Sequence, residues 1–222
     1  MPQEIKTINC GGVNCYLVKT DDGFVLIDTG IPTKRIELEK ELESAGCQQG
    51  NLRLIVVTHG DYDHAGNAAY LREKYGSKIA MHEEDSGRVE RGDWKWNLNA
   101  KPDRFLLIFR IVSFFIKAGK FDTFKPDIYV ADGQGLSKYG LDAKIIHLPG
   151  HTKGSIGILT SSGDLFCGDL MYNLRKPCLH FFIDDLAAAN ASIAKLCSLK
   201  VTTVYPGHGK LFPWEQFLKN YR

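Results

Sequence analysis

The stretch Leu54-Ile55-Val56-Val57-Thr58-His59-Gly60-Asp61-Tyr62-Asp63-His64-Ala65-Gly66-Asn67 carries the reading of the whole chain. Its apolar, largely β-branched opening is too short for a helix and is bounded by polar residues, which predicts a buried strand. Ala65 to Tyr75 is rich in helix formers and stops at Gly76, which predicts a helix. Between the two, His59, Asp61, Asp63 and His64 place four metal-ligand types within six positions. They sit on a strand-to-helix loop, where an α/β sheet carries its chemistry.

Upstream, Ile5–Ile8, Asn14–Val18 and Phe24–Asp28 read as strands separated by Gly11-Gly12 and by Asp21-Asp22-Gly23. A charged helix with Ile36, Leu38 and Leu42 is expected over Thr33–Ala45, ending at Gly46. Downstream comes a short strand, Lys78–Met81, and then a polar stretch over 83–103 that includes Trp94 and Trp96. Phe105 to Ile116 is the most hydrophobic window of the chain. It falls short of the roughly 20 residues a membrane span needs and contains Arg110, so no span is expected. A buried helix, a cap over a pocket, a homodimer face and a membrane-surface contact all stay open for it. The β pattern resumes at Ile128–Val130, Ala143–Leu148, Ser155–Leu159 and Asp164–Cys167. A helix over Asp185–Ser198, a strand at Thr202–Tyr205 and a last helix near Trp214–Lys219 complete it. Strands with a helix layer, an insertion over about 86–126, then strands with a helix layer again describe one α/β (α+β) domain. The expected architecture is an αββα sandwich.

At 222 residues the chain can bury a real core, and 44% hydrophobic with 24% charged residues is ordinary for a globular protein. A formal charge of +2 without a basic stripe argues against nucleic acid. The first residues have neither a basic nor an apolar leader region, so a cytoplasmic location is expected. The six cysteines form no CxxC pair and read as free thiols.

Three later stations repeat the setting of the opening stretch, a polar residue just past an apolar strand: His151 in Pro149-Gly150-His151-Thr152, Asp169 in Cys167-Gly168-Asp169, and His208 in Pro206-Gly207-His208-Gly209. Glycines flank each one and allow close backbone approach. With Leu26-Ile27-Asp28-Thr29-Gly30 and Thr58–His64, these motifs resemble the metallo-β-lactamase superfamily over nearly the whole chain. The resemblance implies an αββα sandwich with a dinuclear metal site at one edge. It implies that His59 and His151 hold a first ion, that Asp63, His64 and His208 hold a second, and that Asp169 bridges them. Asp28 would orient ligands rather than bind metal, and Tyr62 reads as packing beside them.

One position departs from the family's His-x-His-x-Asp-His pattern, because Asp61 stands where a histidine is usual. As a ligand, its oxygen would shift preference from zinc toward iron or manganese. Being short, it could fail to reach. If it binds, Asp61, Asp63, Asp169 and a hydroxide balance two divalent ions, whereas a histidine there leaves one net positive charge. On the ligand argument alone, Asp61→His is expected to tighten the first metal.

The function expected is a metal-dependent hydrolase. A hydroxide of the dinuclear site, steered by Asp63 and Asp61, attacks an ester, thioester or lactone bond of a partly apolar small molecule. Two divalent ions, zinc first, are the expected cofactors. His180, Trp94, Trp96 and Phe109 are the substrate-contact candidates. The competing class is a non-haem diiron protein that reduces oxygen or nitric oxide with a separate electron donor.

Overall fold

The computed structural model describes residues 4–92 and 121–221. Trp94, Trp96, Phe109 and the hydrophobic window Phe105–Ile116 lie outside the described residues.

Two sheets stack face to face. The first runs in sequence order, with β1 (Ile5–Asn9), β2 (Asn14–Thr20) and β3 (Gly23–Ile27) antiparallel. β4 (Leu52–Val56), β5 (Lys78–Met81) and β6 (Ile128–Tyr129) then add in parallel. Before the second sheet closes, β10 (Met171–Tyr172) and β11 (Cys178–Leu179) form a small ladder of their own. The second sheet has the order β13-β12-β9-β8-β7, with β7 Ala143–His147, β8 Ile156–Thr160, β9 Asp164–Gly168, β12 Thr203–Pro206 and β13 Phe212–Pro213.

Side-chain alternation explains the layers. Val25, Ile27, Leu54, Val56 and Ala80 point from the first sheet onto Ile145, Ile156, Ile158 and Phe166 of the second. Their neighbours Leu26, Ile55, Val57, Ile79 and Met81 point the other way. There they meet α1 (Arg35–Ser44), α3 (Ala68–Tyr75) and α4 (Glu83–Arg91), through Leu38 and Leu42, Leu71 and Tyr75, and Val89. On the far side, Ile146, Leu159, Leu165 and Cys167 pack on α5 (Leu186–Cys197) and α6 (Trp214–Tyr221) through Ala189, Ile193, Leu196, Trp214 and Phe217. Strands covered on both faces read as continuous apolar runs, which is why β3 and β4 stand out in the sequence. The αββα order expected from the sequence is the one observed.

Local differences have local causes. The helix expected from Ala65 breaks at Gly66-Asn67, giving α2 (Tyr62–Ala65) and then α3. Gly66 sits so tightly that a Cβ there would lie 2.4 Å from the Tyr62 carbonyl oxygen. Ile36 is 63% exposed, because α1 buries only Leu38 and Leu42. Glu83–Arg91 reads as a polar stretch yet forms α4. Three acidic residues in its first turn and two basic ones in its last favour the helix dipole. All six cysteines are free. Among the described residues no helix is long and apolar enough to cross a membrane.

Candidate metal centre

The loops that follow β3, β4, β7, β9 and β12 meet at one edge of the sandwich. Backbone hydrogen bonds fix their relation: Ile156 N–H donates to the Thr58 carbonyl at 2.9 Å and joins the two sheets. Gly207 N–H donates to the Gly168 carbonyl at 2.8 Å, and Asn14 N–H to the Gly207 carbonyl at 2.7 Å. From β2, the Asn14 amide reaches the Pro206 and Gly209 carbonyls, and the Tyr16 hydroxyl donates to Pro206 O at 2.6 Å. The loop bearing His208 is thereby tied to the opposite sheet.

Glycine is required where loops press on the ligand candidates. At Gly207 a Cβ would lie 2.2 Å from Asp169 Oδ1 and 2.7 Å from His64 Cε1. Gly168, at φ +51°, would put one 2.8 Å from Thr58 Oγ1.

Four imidazoles share one arrangement. His64 donates from Nδ1 to Asp28 Oδ2 at 2.8 Å, His151 from Nδ1 to the Phe182 carbonyl at 2.5 Å, and His208 from Nδ1 to the Gly12 carbonyl at 2.8 Å. The fourth, His59, faces Thr58 Oγ1 with Nδ1 at 3.0 Å. That hydroxyl already donates to Asp28 Oδ2 at 2.8 Å, so it accepts from the ring. In all four a proton is held on Nδ1, so it is Nε2 that faces the site and gives up any proton it carries when a metal binds.

The Nε2 atoms and carboxylates then fall into overlapping sets. His59, Asp61 and His151 form one, Asp63, His64 and His208 another, and Asp169 groups with His59 and His64 between them. Asp61 Oδ2 is 3.2 Å from His151 Nε2 and 3.7 Å from His59 Nε2. His208 Nε2 is 3.4 Å from Asp63 Oδ2 and 3.3 Å from Asp169 Oδ2, and His64 Nε2 is 3.3 Å from Asp169 Oδ1. Donor atoms around one tetrahedral ion, each about 2.1 Å from it, stand about 3.4 Å apart. The spacing matches. The short side chain of Asp61 therefore does reach the first set.

Several of these atoms lack a partner that burial would otherwise demand. His59 Nε2, His64 Nε2 and Asp169 Oδ1 are buried without a hydrogen bond, a costly state for polar atoms. A cation among them would satisfy all three. These residues fit divalent metal ions.

The electrostatics agree. Burial, with His64 and His151 beside it, pushes His59 well below its ordinary value. Burial disfavours the charged forms of His64 and His208 too, but nearby carboxylates overcome it. Asp169, Asp28 and Asp63 raise His64, and Asp169 and Asp63 raise His208 to about 10. Against its own burial, Asp169 is held well below the carboxylate range by His64 and His208.

Asp28 anchors the centre from behind. Besides His64 it accepts from Thr58 N–H at 2.8 Å. It adopts φ +60°, a left-handed conformation that Asp tolerates and that is stored strain at the site. Tyr62 opens α2 half-buried beside the ligands, its phenol raised by burial and by Asp63 and Asp61.

His180 is different. It is buried against His151 and His208, with Nε2 3.6 Å from Asp169 Oδ2. Its Nδ1 accepts from Phe182 N–H at 3.3 Å, so Nε2 carries the proton and acts as a donor. Burial lowers its pKa to about 4 and keeps it neutral. His82 and His147 stack in parallel at 4.2 Å. They line a cleft of about 390 Å³ beyond the His151 turn, which contains none of the seven ligand candidates.

Two residues of α4 escaped the sequence reading. Asp85 accepts from Gly60 N–H at 2.8 Å, from the Thr152 hydroxyl at 2.8 Å and from Gly154 N–H at 2.9 Å, clamping the His59 loop to the His151 loop. One turn later Arg88, also buried, meets Asp61. The dense charge of 83–91 was the available signal, but nothing in it distinguishes a solvated face from a buried one.

The family model described as the metallo-beta-lactamase superfamily matches residues 8–208. The chain is 30% identical over 178 residues to hydroxyacylglutathione hydrolase GloC of Haemophilus influenzae, covering 76% of this chain and 71% of the relative. It is 24% identical over 219 residues to the human acyl-coenzyme A thioesterase MBLAC2, covering 93% and 76%. Against other curated relatives, two mycobacterial and one from Drosophila melanogaster, it spans 64% and 59% of their length. Among solved structures, TTHA1623 in a di-iron-bound form superposes with a TM-score of 0.71 at 25% identity, covering 98% of each chain.

Proposed function

The chain belongs to the metallo-β-lactamase superfamily of metallo-hydrolases, and from that premise we propose that it hydrolyses an acyl ester, thioester or lactone of a partly apolar small molecule. The observation that carries the proposal is the set of four imidazoles tied at Nδ1, with Nε2 converging on Asp61, Asp63 and Asp169. His59, Asp61 and His151 would hold one divalent ion, Asp63, His64 and His208 the second, with Asp169 shared. When bound, such ions supply Lewis acidity and make water acidic enough to attack at neutral pH.

The protein's own groups divide the remaining work. Asp63, half-exposed at the open side, orients the attacking water. Asp61, partly buried beside it, is bound on one oxygen by Arg88 and offers the other to the first ion. The neutral Nε2–H of His180 donates to the oxygen on which charge develops. The exposed ring of Phe181 and side chain of Leu174 offer an apolar rim for an acyl group. Thioesters are favoured within the class because both named relatives act on acyl groups carried on glutathione or coenzyme A.

A panel of S-acylglutathione, acyl-coenzyme A, lactone and phosphodiester substrates tests this, run with zinc-, iron- and manganese-loaded protein. A thioester should be cleaved fastest, with zinc. No hydrolysis of any substrate with any metal would overturn the proposal. The diiron redox reading rests on the oxygen ligand Asp61 and the di-iron-bound neighbour. Oxygen consumption with a chemical reductant in the iron-loaded protein would favour it.

A further inference from the structure

Asp61 divides its two oxygens. Oδ2 faces His151 Nε2 and His59 Nε2 at 3.2 and 3.7 Å, and Oδ1 meets Arg88 Nη1 at 2.5 Å. Arg88 is 2% exposed, too deep to be a solvated surface charge. Its approach is built in at the sequence level, because it passes Gly60 of the same loop. A Cβ on Gly60 would lie 2.7 Å from Arg88 Cβ and 2.9 Å from its Cδ. The other carboxylate nearby on α4, Asp85, is already engaged by Gly60, Thr152 and Gly154. Burial alone would raise the Asp61 carboxyl, but His151 and Arg88 hold it well below the usual range.

We propose that Arg88 is a positioning residue for the first metal site, and that the Asp61–Arg88 pair replaces, as a unit, the histidine usual at position 61. Three properties of the imidazole are reproduced. The pair presents one donor atom, because the guanidinium occupies the second oxygen. It is neutral overall, so the positive charge lost with the histidine returns one residue further out. It is fixed in direction, because Arg88 is anchored on a helix that also clamps both ligand loops. The site thus keeps the charge balance that acidifies bound water, and need not shift from zinc to harder metals. This inference rests on the metal-centre reading above.

It also reverses the expectation for Asp61→His. With Arg88 in place, a histidine at 61 leaves a buried guanidinium facing an imidazole and without a counter-ion. The test compares wild type, Asp61→His, Arg88→Met, Arg88→Lys and Asp61→His/Arg88→Met as full chains. It reads zinc equivalents retained against chelators of graded affinity, and the melting temperature of the metal-free protein. Both single changes, Asp61→His and Arg88→Met, should weaken the first zinc about 10–100-fold while the second stays near wild type. The double variant should recover the first zinc and the melting temperature lost in Asp61→His. Arg88→Lys, which keeps the charge, should lose less than Arg88→Met. The pairing is overturned if Asp61→His holds both zincs like wild type, if the double variant is no better than Asp61→His, or if both zincs weaken alike. A wild type that holds no zinc would instead overturn the metal-centre reading, and this inference with it.

Discussion

Asp28→Asn tests how the centre selects the histidine tautomer. The carboxylate accepts three hydrogen bonds, from Thr58 N–H, the Thr58 hydroxyl and His64 Nδ1, each at 2.8 Å. Asparagine keeps the shape and tolerates φ +60°, so no backbone strain is added. It cannot, however, accept all three bonds. With its oxygen toward His64, its NH2 opposes Thr58 N–H. Turned over, the NH2 faces His64 Nδ1 and forces the proton to Nε2, where it blocks the metal. Losing one charge-assisted bond costs about 1.5–3 kcal/mol. For a chain of this size each kcal/mol lowers the melting temperature by about 2–4 °C, so the metal-free protein should melt roughly 3–12 °C lower. Zinc held by His64, Asp63 and His208 should weaken about 10–100-fold. Asp28→Ala should cost about 1–2 kcal/mol more, because alanine pays for the left-handed backbone. Chelator competition and thermal melts at fixed pH read both effects. If Asp28→Asn binds both zincs within about twofold of wild type, Asp28 does not set the tautomer, and the argument from Nδ1 fails.

Other expectations are as direct. Gly207→Ala should lose zinc while the sheets persist by circular dichroism, since the added methyl would strike Asp169 Oδ1 and His64; two retained equivalents would contradict the close approach. His208 is raised from 6.5 to about 10 without metal, so its ion pairs stabilise the metal-free fold fully below pH 6.5 and are lost as pH rises through about 10. Zinc binding near pH 7 must therefore release its proton, and affinity should climb across that window. Calorimetry in two buffers of different ionisation enthalpy should show at least about one proton released, and none would contradict the assignment. His180→Gln should lower kcat about 10²–10³-fold with both zincs retained, as for loss of one oxyanion donor; unchanged kcat would make His180 structural.

Much of this protein is legible in its sequence, and the reason is that strands and ligand loops are local. Apolar runs such as Leu54–Val57 mark strands covered on both faces, and the ligand candidates follow them within a few positions. His59, Asp61, Asp63 and His64 share one loop, and His151, Asp169 and His208 each declare themselves beside a glycine. What supports them is not local. Asn14 and Tyr16 hold the His208 loop from 195 and 190 positions away, and Asp85 ties two loops across 25, 67 and 69 positions.

The sequence by itself determined the αββα order, the candidate ligand set and the anomaly at position 61. It could not say whether Asp61 stands alone or paired, because Arg88 lies 27 positions away in a segment whose charges look solvated. Only the packing of α4 against Gly60 buries that guanidinium next to the carboxylate. A charge's effect on a metal site depends on distance and dielectric, and neither is written in the order of residues.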